Sequence, residues 1–128
     1  MNILNLKRLV STTFLASFFQ TVHSADVIIE WAPFVKHSQV SDTQLILLAE
    51  KVQNQFISKQ KGYIKRELIK KSDSEYADLI YWQSKQDAEN AGKLVYSCEV
   101  CVNYFKTMDE TKKTSSEFSH YSILKSWN

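Results

Sequence analysis

One segment in the middle of the sequence constrains the fold more than any other part of the chain. It contains two strand-like runs, 63–70 and 76–82, and the polar Lys-Ser-Asp-Ser-Glu sequence between them is typical of a β-hairpin. Two short helical segments follow the hairpin, one predicted to begin at Ser84 and one at Ser97. The sequence therefore predicts a paired set of strands followed by a helix in two pieces.

A strand and a helix precede this segment. Residues 27–34 form an apolar run broken only by Glu30, a pattern that favours a strand buried on both faces. Ser41 and Gln44 have the spacing of a capping box, and Gly62 is placed to end the helix that begins there. The buried face of this helix is predicted to consist of Leu45, Leu48, Ala49, Val52 and Phe56.

The last strand is predicted at 118–125. The order strand, helix, strand, strand, helix, strand predicts an α+β, ferredoxin-like βαββαβ fold, with an antiparallel sheet and helices on one face. Strands this apolar would leave a large exposed patch on the uncovered face of the sheet. We therefore expect a second copy of the chain to cover that face, which would form a dimeric α+β barrel.

The first 24 residues are predicted to be a secretory signal peptide, so that residues 25–128 form the folded domain. Lys7 and Arg8 supply its positive region, the apolar stretch 9–19 follows, and cleavage is predicted before Ala25. A membrane anchor is the alternative, but spanning a bilayer needs about 20 predominantly apolar residues, and this run is shorter and interrupted by polar ones. The predicted location is periplasmic or secreted, with no membrane contact after cleavage.

The charge balance argues against a nucleic-acid-binding protein. The chain has 16 Lys and Arg and 14 Asp and Glu, and two of the basic residues lie in the leader, which leaves 14 of each sign in the domain. A neutral domain lacks the basic surface that nucleic acids or anionic membranes require.

The domain resembles proteins with an antibiotic biosynthesis monooxygenase (ABM) domain, which belong to the dimeric α+β barrel superfamily. The resemblance is carried by VIIEWAPF, KQKGYIKREL, YADLIYWQSKQDAENA and SCEVCVNYFKTMD, which together span nearly all of the domain. It implies a homodimer with a small pocket between the helices and the sheet of each protomer, and no cofactor. Some relatives oxidise aromatic polyketides with molecular oxygen, others degrade haem, and many have no established activity.

The resemblance also implies where a site would lie. Cofactor-free relatives have Asn, Trp and Arg side chains in the pocket, for which Trp31, Trp82 and Arg66 could stand in here, although the first strand holds no Asn. The haem-degrading relatives have a His and a Trp after the third strand. Neither occurs between Gln83 and Glu117, so the resemblance does not imply haem degradation.

Charged residues within the strands are the candidates for catalysis. They are Glu30, Arg66 and Asp78, to which the resemblance adds Trp82. One interpretation is that these charges, together with Glu67, pair with one another inside the dimer barrel or face solvent near strand ends, because burying an unpaired charge is costly. The other is that Glu30 or Asp78 is a general base with a raised pKa.

Aromatic residues are the candidates for lining a ligand pocket, although such residues also form plain core. They are Trp31, Tyr63, Tyr81, Trp82, Tyr104 and Phe105.

Cys98 and Cys101 form a C-x-x-C pair with three interpretations. Buried free thiols are favoured because both cysteines lie on an apolar helical stripe, and a local disulfide or a redox or metal site are the alternatives. No metal site is predicted otherwise, because His37 and His120 are far apart in sequence and read as ordinary surface or strand-face residues.

Three functions remain open at this point, and the sequence does not decide whether the protein is an enzyme. They are binding of a small apolar or aromatic molecule, cofactor-independent monooxygenation of such a molecule, and a non-catalytic structural or interaction dimer. A closed core would exclude the first two, whereas a cavity of about 300 Å3 or more with polar groups pointing inward would favour them.

Overall fold

The computed structural model describes residues 26–127. It contains β1 (Ile28–Val35), α1 (Asp42–Gln55), β2 (Tyr63–Lys70), β3 (Glu75–Trp82), α2 (Lys85–Gly92), α3 (Glu99–Phe105) and β4 (Ser119–Ser122). The sheet has the order β2-β3-β1-β4, and all neighbouring strands are antiparallel. The predicted ferredoxin-like fold is therefore confirmed. The predicted leader and its cleavage before Ala25 lie outside the described residues. Within residues 26–127, no helix is long and apolar enough to cross a membrane.

The first helix begins as predicted but ends earlier. The Ser41 side chain accepts a hydrogen bond from the Gln44 amide at 3.1 Å, and the Gln44 side chain accepts one from the Ser41 amide at 2.8 Å. The helix stops at Gln55, and a short 3-10 turn at Ile57–Lys59 follows it. Gly62 does not end the helix, as the sequence suggested, but lies in the turn that leads into β2, with φ of +76°.

Replacing Gly62 with alanine is expected to lower the free energy of unfolding by about 1–3 kcal/mol, because a side chain is strained at this positive φ. The added Cβ would also collide with the Asp87 carboxylate, which the Ser84 hydroxyl holds in place by a hydrogen bond of 2.7 Å. Gly92→Ala is the matched control, because nothing lies within 4 Å of its Cβ position. Urea denaturation should show a lower midpoint for the first variant only, and equal midpoints would contradict this account.

Two other predicted boundaries are corrected. The third helix has Cys98 rather than Ser97 as its N-cap, because Val95–Ser97 forms a 3-10 turn that the Cys98 amide closes on the Val95 carbonyl. The last strand covers four residues instead of the predicted 118–125. It pairs with the beginning of β1, and beyond Ile123, whose amide bonds the Val27 carbonyl, β1 offers no further residues to pair with.

Alternation along the strands decides which side chains face the helices. In β1 and β3, every second residue joins the buried core beneath the helices, including Ile28, Phe34, Ile80 and Trp82. Their neighbours in sequence point to the opposite side, which we call the open face of the sheet. The core is completed from the helices by Leu45, Ala49, Val52, Ala88, Ala91, Cys101 and Tyr104.

Candidate functional site

A cavity of about 610 Å3 lies between the helices and the sheet. Its floor consists of helix-facing residues of all four strands, and its walls come from α2, α3 and the segment that follows α1. Most of the lining is apolar, as with Phe56, Ile80 and Phe105. All four candidates for catalysis line this one cavity, namely Glu30, Arg66, Asp78 and Trp82.

Arg66 and Asp78 form a buried ion pair in the cavity floor. The Arg66 Nε atom donates to Asp78 Oδ1 at 2.8 Å, Nη2 lies 2.7 Å from the same oxygen, and the two side chains are 6% and 9% exposed. Arg66 also donates to the Ala49 carbonyl at 2.9 Å, and the Tyr104 hydroxyl donates to Asp78 Oδ2 at 3.0 Å. The interpretation that the strand charges pair with one another therefore holds for these two residues.

Glu67, another of the charged residues within the strands, does not join this pair. Glu67 lies on the exposed side of β2, 3.4 Å from Lys65, and takes no part in the buried pair. Burial raises the pKa of Asp78, while the guanidinium of Arg66 and the hydroxyl of Tyr104 oppose that rise. Asp78 is thus held by two hydrogen bonds and by the charge of Arg66, which leaves it poorly placed to exchange a proton with a ligand.

Glu30 has a different partner, His120, directly across the β1–β4 pair. Glu30 Oε2 and His120 Nε2 are 3.3 Å apart, and their side chains are 14% and 18% exposed. Burial raises the pKa of Glu30 and nearby Asp78 adds to the rise, whereas His120 lowers it. Sequence reasoning missed His120 because its place opposite Glu30 depends on the register of a strand whose partner the sequence does not specify.

Trp82 places a polar group without a partner in the cavity. Its side chain is 1% exposed, and among the described residues its indole N–H has no hydrogen-bond partner. The interaction of this N–H with the Glu30 carboxyl lowers the pKa of Glu30. Buried donors are normally paired, so the site offers a free hydrogen-bond donor close to a carboxylate.

Solved structures share this architecture. A point mutant of SnoaB, a cofactor-independent oxygenase from Streptomyces nogalater, aligns with a TM-score of 0.61 at 13% identity, over 80% of this chain and 97% of that one. A conserved protein from Methanosarcina mazei Go1 aligns with a TM-score of 0.55 at 14% identity, over 80% and 96%. A protein from Caulobacter crescentus CB15, described as a candidate antibiotic biosynthesis monooxygenase, aligns with a TM-score of 0.51 at 15% identity, over 81% and 93%.

The chain has the ABM-type fold. The predicted resemblance is thus confirmed at the level of the fold. No protein-family model matches the sequence, and no curated protein matches it either.

Within the ABM-type fold, three of the six aromatic residues predicted to bind a ligand line the cavity: Trp82, Tyr104 and Phe105. Tyr63 packs edge-on against Trp82, with ring centroids 6.2 Å apart, and its hydroxyl accepts a hydrogen bond from Gln53 at 2.8 Å. Tyr63 therefore supports the cavity without lining it.

Trp31 and Tyr81, also among the residues predicted to bind a ligand, lie on the open face of the sheet and do not line the cavity. Trp31 donates from Nε1 to the Ser116 hydroxyl at 3.0 Å, and the Lys65 ammonium lies 4.2 Å from the centre of the Tyr81 ring. Each is one position out of phase with the helix-facing residues of its strand. Trp31 consequently cannot stand in for a pocket residue of the cofactor-free relatives.

The two cysteines of this chain, Cys98 and Cys101, are joined in a disulfide. Their Cα atoms are 5.2 Å apart across the first turn of α3, within the range that a disulfide spans. The favoured interpretation of free thiols is corrected, although the predicted core position is right for Cys101, which is 1% exposed and lines the cavity. Among residues 26–127 no group of three or more His, Cys, Asp or Glu side chains could hold a metal ion.

Proposed function

We propose that the protein binds a small, flat, apolar molecule in the helix–sheet cavity, with the polar edge of that molecule against Glu30 and Trp82. One observation carries the proposal, namely an open cavity of about 610 Å3 between the helices and the sheet, with polar groups on its floor. Ligand sites are commonly mostly apolar cavities with a few convergent polar groups. A purely structural dimer has no need for such a space, since its core would be better filled.

Tryptophan fluorescence tests this proposal with 2-methoxynaphthalene as the probe. A ligand in the cavity contacts Trp82, whereas Trp127 lies in the exposed C-terminal segment. Binding should therefore change the emission of the wild type and of Trp127→Phe, and the change should be largely lost in Trp82→Phe. An unchanged signal in Trp82→Phe would place the ligand elsewhere.

Cofactor-independent monooxygenation is the second candidate function. It is supported by the similarity in fold to SnoaB, which is described as a cofactor-independent oxygenase, and by the carboxylate and free N–H of the cavity. In such a reaction the substrate supplies all of the electrons, as when a CH2 group and O2 become a C=O group and water. In this scheme Trp82 positions the substrate, and Arg66 acts through Asp78, because each of its three nitrogens already contacts Asp78 or the Ala49 carbonyl.

Oxygen uptake separates the two candidates. Polycyclic phenols that bind to the protein are tested in an oxygen electrode with no cofactor and with a chelator present. Consumption that depends on protein concentration and yields a ketone product supports monooxygenation. Binding without oxygen consumption limits the function to binding.

We further propose that the protein is a homodimer through the open face of the sheet. Ile29, Trp31 and Pro33 of β1 lie on this face and are only half-buried in one protomer, and apolar side chains such as Leu79 lie beside them. A second copy would remove them from water. Light scattering should give twice the monomer mass for the wild type and the monomer mass for Leu79→Lys.

We also propose that the protein is exported with its leader removed. The disulfide is consistent with this, because such bonds persist in oxidising compartments. Mass spectrometry of protein recovered from the periplasm or medium should give a chain that begins at Ala25. A full-length chain in the cytoplasm would contradict the proposal.

A further inference from the structure

We propose that Glu30 and His120 form a proton-accepting pair, which receives the proton of an acidic O–H or N–H group on the bound molecule. The inference rests on the proposed function, because it assigns a chemical class to the ligand of the same cavity. That class is a flat molecule that carries an ionisable hydroxyl or ring N–H group.

The two carboxylates of the cavity differ in how their charge is balanced. Asp78 is paired with the guanidinium of Arg66 and accepts a further hydrogen bond from Tyr104. Glu30 has no lysine or arginine partner among the ion pairs of the described residues, and its contact is with the imidazole of His120. Two carboxylates in different surroundings take different roles, and here Glu30 is the one that remains able to accept a proton.

The position of Glu30 suits that role. Its side chain is 14% exposed, and it faces the cavity from the middle of β1. His120 contacts only one carboxylate oxygen, Oε2. The other oxygen, Oε1, is not engaged in that contact, and a ligand hydroxyl could donate to it.

Other titratable groups around the cavity come from every element packed against it. They are Arg66 on β2, Asp78 on β3, Glu89 and Lys93 at the end of α2, Tyr96 in the 3-10 turn before α3, Tyr104 on α3, and His120 on β4. Burial and the charge of Asp78 raise the pKa of Glu30, and His120 opposes the rise. A carboxylate with a raised pKa is a stronger base, closer to what proton transfer near neutral pH requires.

The free indole N–H of Trp82 is an independent observation that points to a ligand at this end of the cavity. It is fully buried, has no partner among the described residues, and is close enough to Glu30 to affect its pKa. A donor beside an acceptor matches a ligand edge that presents an acceptor beside a donor, such as a hydroxyl next to a carbonyl or a ring lactam.

The proton transfer balances without a further reactant. The ligand O–H bond breaks, its electron pair stays on the ligand oxygen, and a new O–H bond forms on Glu30. The ligand becomes an anion, which the Trp82 N–H can stabilise by hydrogen bonding. No electrons are transferred to the protein in this step.

The test compares 2-naphthol with 2-methoxynaphthalene, which has the same ring system but no proton to give. Hydrogen bonds to charged groups contribute about 1.5–3 kcal/mol, so wild type should bind the naphthol at least about tenfold more tightly at pH 7.5. This preference should disappear as pH falls through the pKa of Glu30, which lies above the ordinary 4.5, because protonated Glu30 can no longer accept the proton.

Two variants assign the effect to the pair. Glu30→Gln should abolish the pH dependence of the preference, since the amide does not titrate, whereas Glu110→Gln, at an exposed loop position, should leave it intact. His120→Gln should move the loss of preference to higher pH, because the imidazole lowers the pKa of Glu30. His37→Gln, at a half-exposed position away from the cavity, should not move it.

The outcomes separate this inference from the proposed function. If neither probe binds, the proposed function fails and the inference falls with it. If both probes bind with equal affinity at every pH, the cavity binds ligands but Glu30 accepts no proton, and only the inference is overturned. The comparison of the two probes in the wild type shows whether the cavity prefers a proton donor, even if a variant fails to fold.

Discussion

The replacement Asp78→Asn is expected to lower the free energy of unfolding by about 3–5 kcal/mol. Arg66 is 6% exposed, and its charge is balanced by Asp78, whose Oδ1 atom lies 2.8 Å from Nε and 2.7 Å from Nη2 of the guanidinium. The asparagine amide would leave that guanidinium buried without a counterion, and the Tyr104 hydroxyl would lose its charged acceptor. Urea denaturation followed by circular dichroism measures the loss as a shift of the midpoint.

The matched control is Asp73→Asn, which removes the same charge from the surface. Asp73 lies in the β2–β3 turn, fully exposed, 3.1 Å from Lys70. Exposed ion pairs contribute about 0–1 kcal/mol, so this midpoint should hardly move. A comparable shift in both variants would mean that the buried pair has no special role in stability.

A double variant separates the cost of an unpaired charge from the value of the pair. Arg66→Met combined with Asp78→Leu removes both charges together. It should be more stable than Asp78→Asn alone, because apolar replacement of a buried ion pair is often neutral or stabilising. If the double variant is instead the least stable, the ion pair itself contributes net stability.

Trp82→Ala is expected to lower the free energy of unfolding by about 3–5 kcal/mol, the usual cost of removing a large buried aromatic side chain. Trp82 is 1% exposed, packs against Tyr63 and ends β3 immediately before α2. Its loss would enlarge the existing cavity and remove the contact between the sheet and the start of that helix. Thermal and urea unfolding measure the effect.

Two further variants separate the contribution of the buried Trp82 ring from that of its N–H group. Trp82→Phe keeps most of the ring and removes an N–H that has no partner among the described residues, so it should cost much less than alanine. Trp127→Ala removes the same side chain from a position that is 82% exposed and should leave stability almost unchanged. Equal losses in the alanine and phenylalanine variants would show that the N–H has a stabilising partner after all.

Local patterns in the sequence predicted the fold well. The capping box at Ser41 and the hairpin between β2 and β3 depend on neighbouring residues only, and both are confirmed. The errors arose at the ends of elements, which the hydrophobic pattern within an element does not determine. The last strand stops where β1 leaves it without a partner, and Gly62 follows a 3-10 turn that the helical periodicity does not indicate.

The candidate site was harder to predict, because it depends on which face of a strand each residue occupies. Glu30, Arg66, Asp78 and Trp82 could be picked out as polar or bulky residues within apolar strands, and all four meet in the cavity. Trp31 and Tyr81 have the same chemical character but the opposite phase, and composition does not distinguish them. His120 had no signal of its own, since its role comes from the β1–β4 register.

Because of the disulfide, the structure of the cavity wall depends on the redox conditions under which the chain folds. Cys98 caps α3 and Cys101 lines the cavity, so the bond between them fixes the first turn of the wall. Without the covalent bond, that turn would be held only by its hydrogen bonds, among them the one that the Cys101 amide donates to Cys98 Sγ. The first turn of this wall therefore differs between the oxidised and the reduced chain, so the shape of the cavity follows the redox state of the two cysteines.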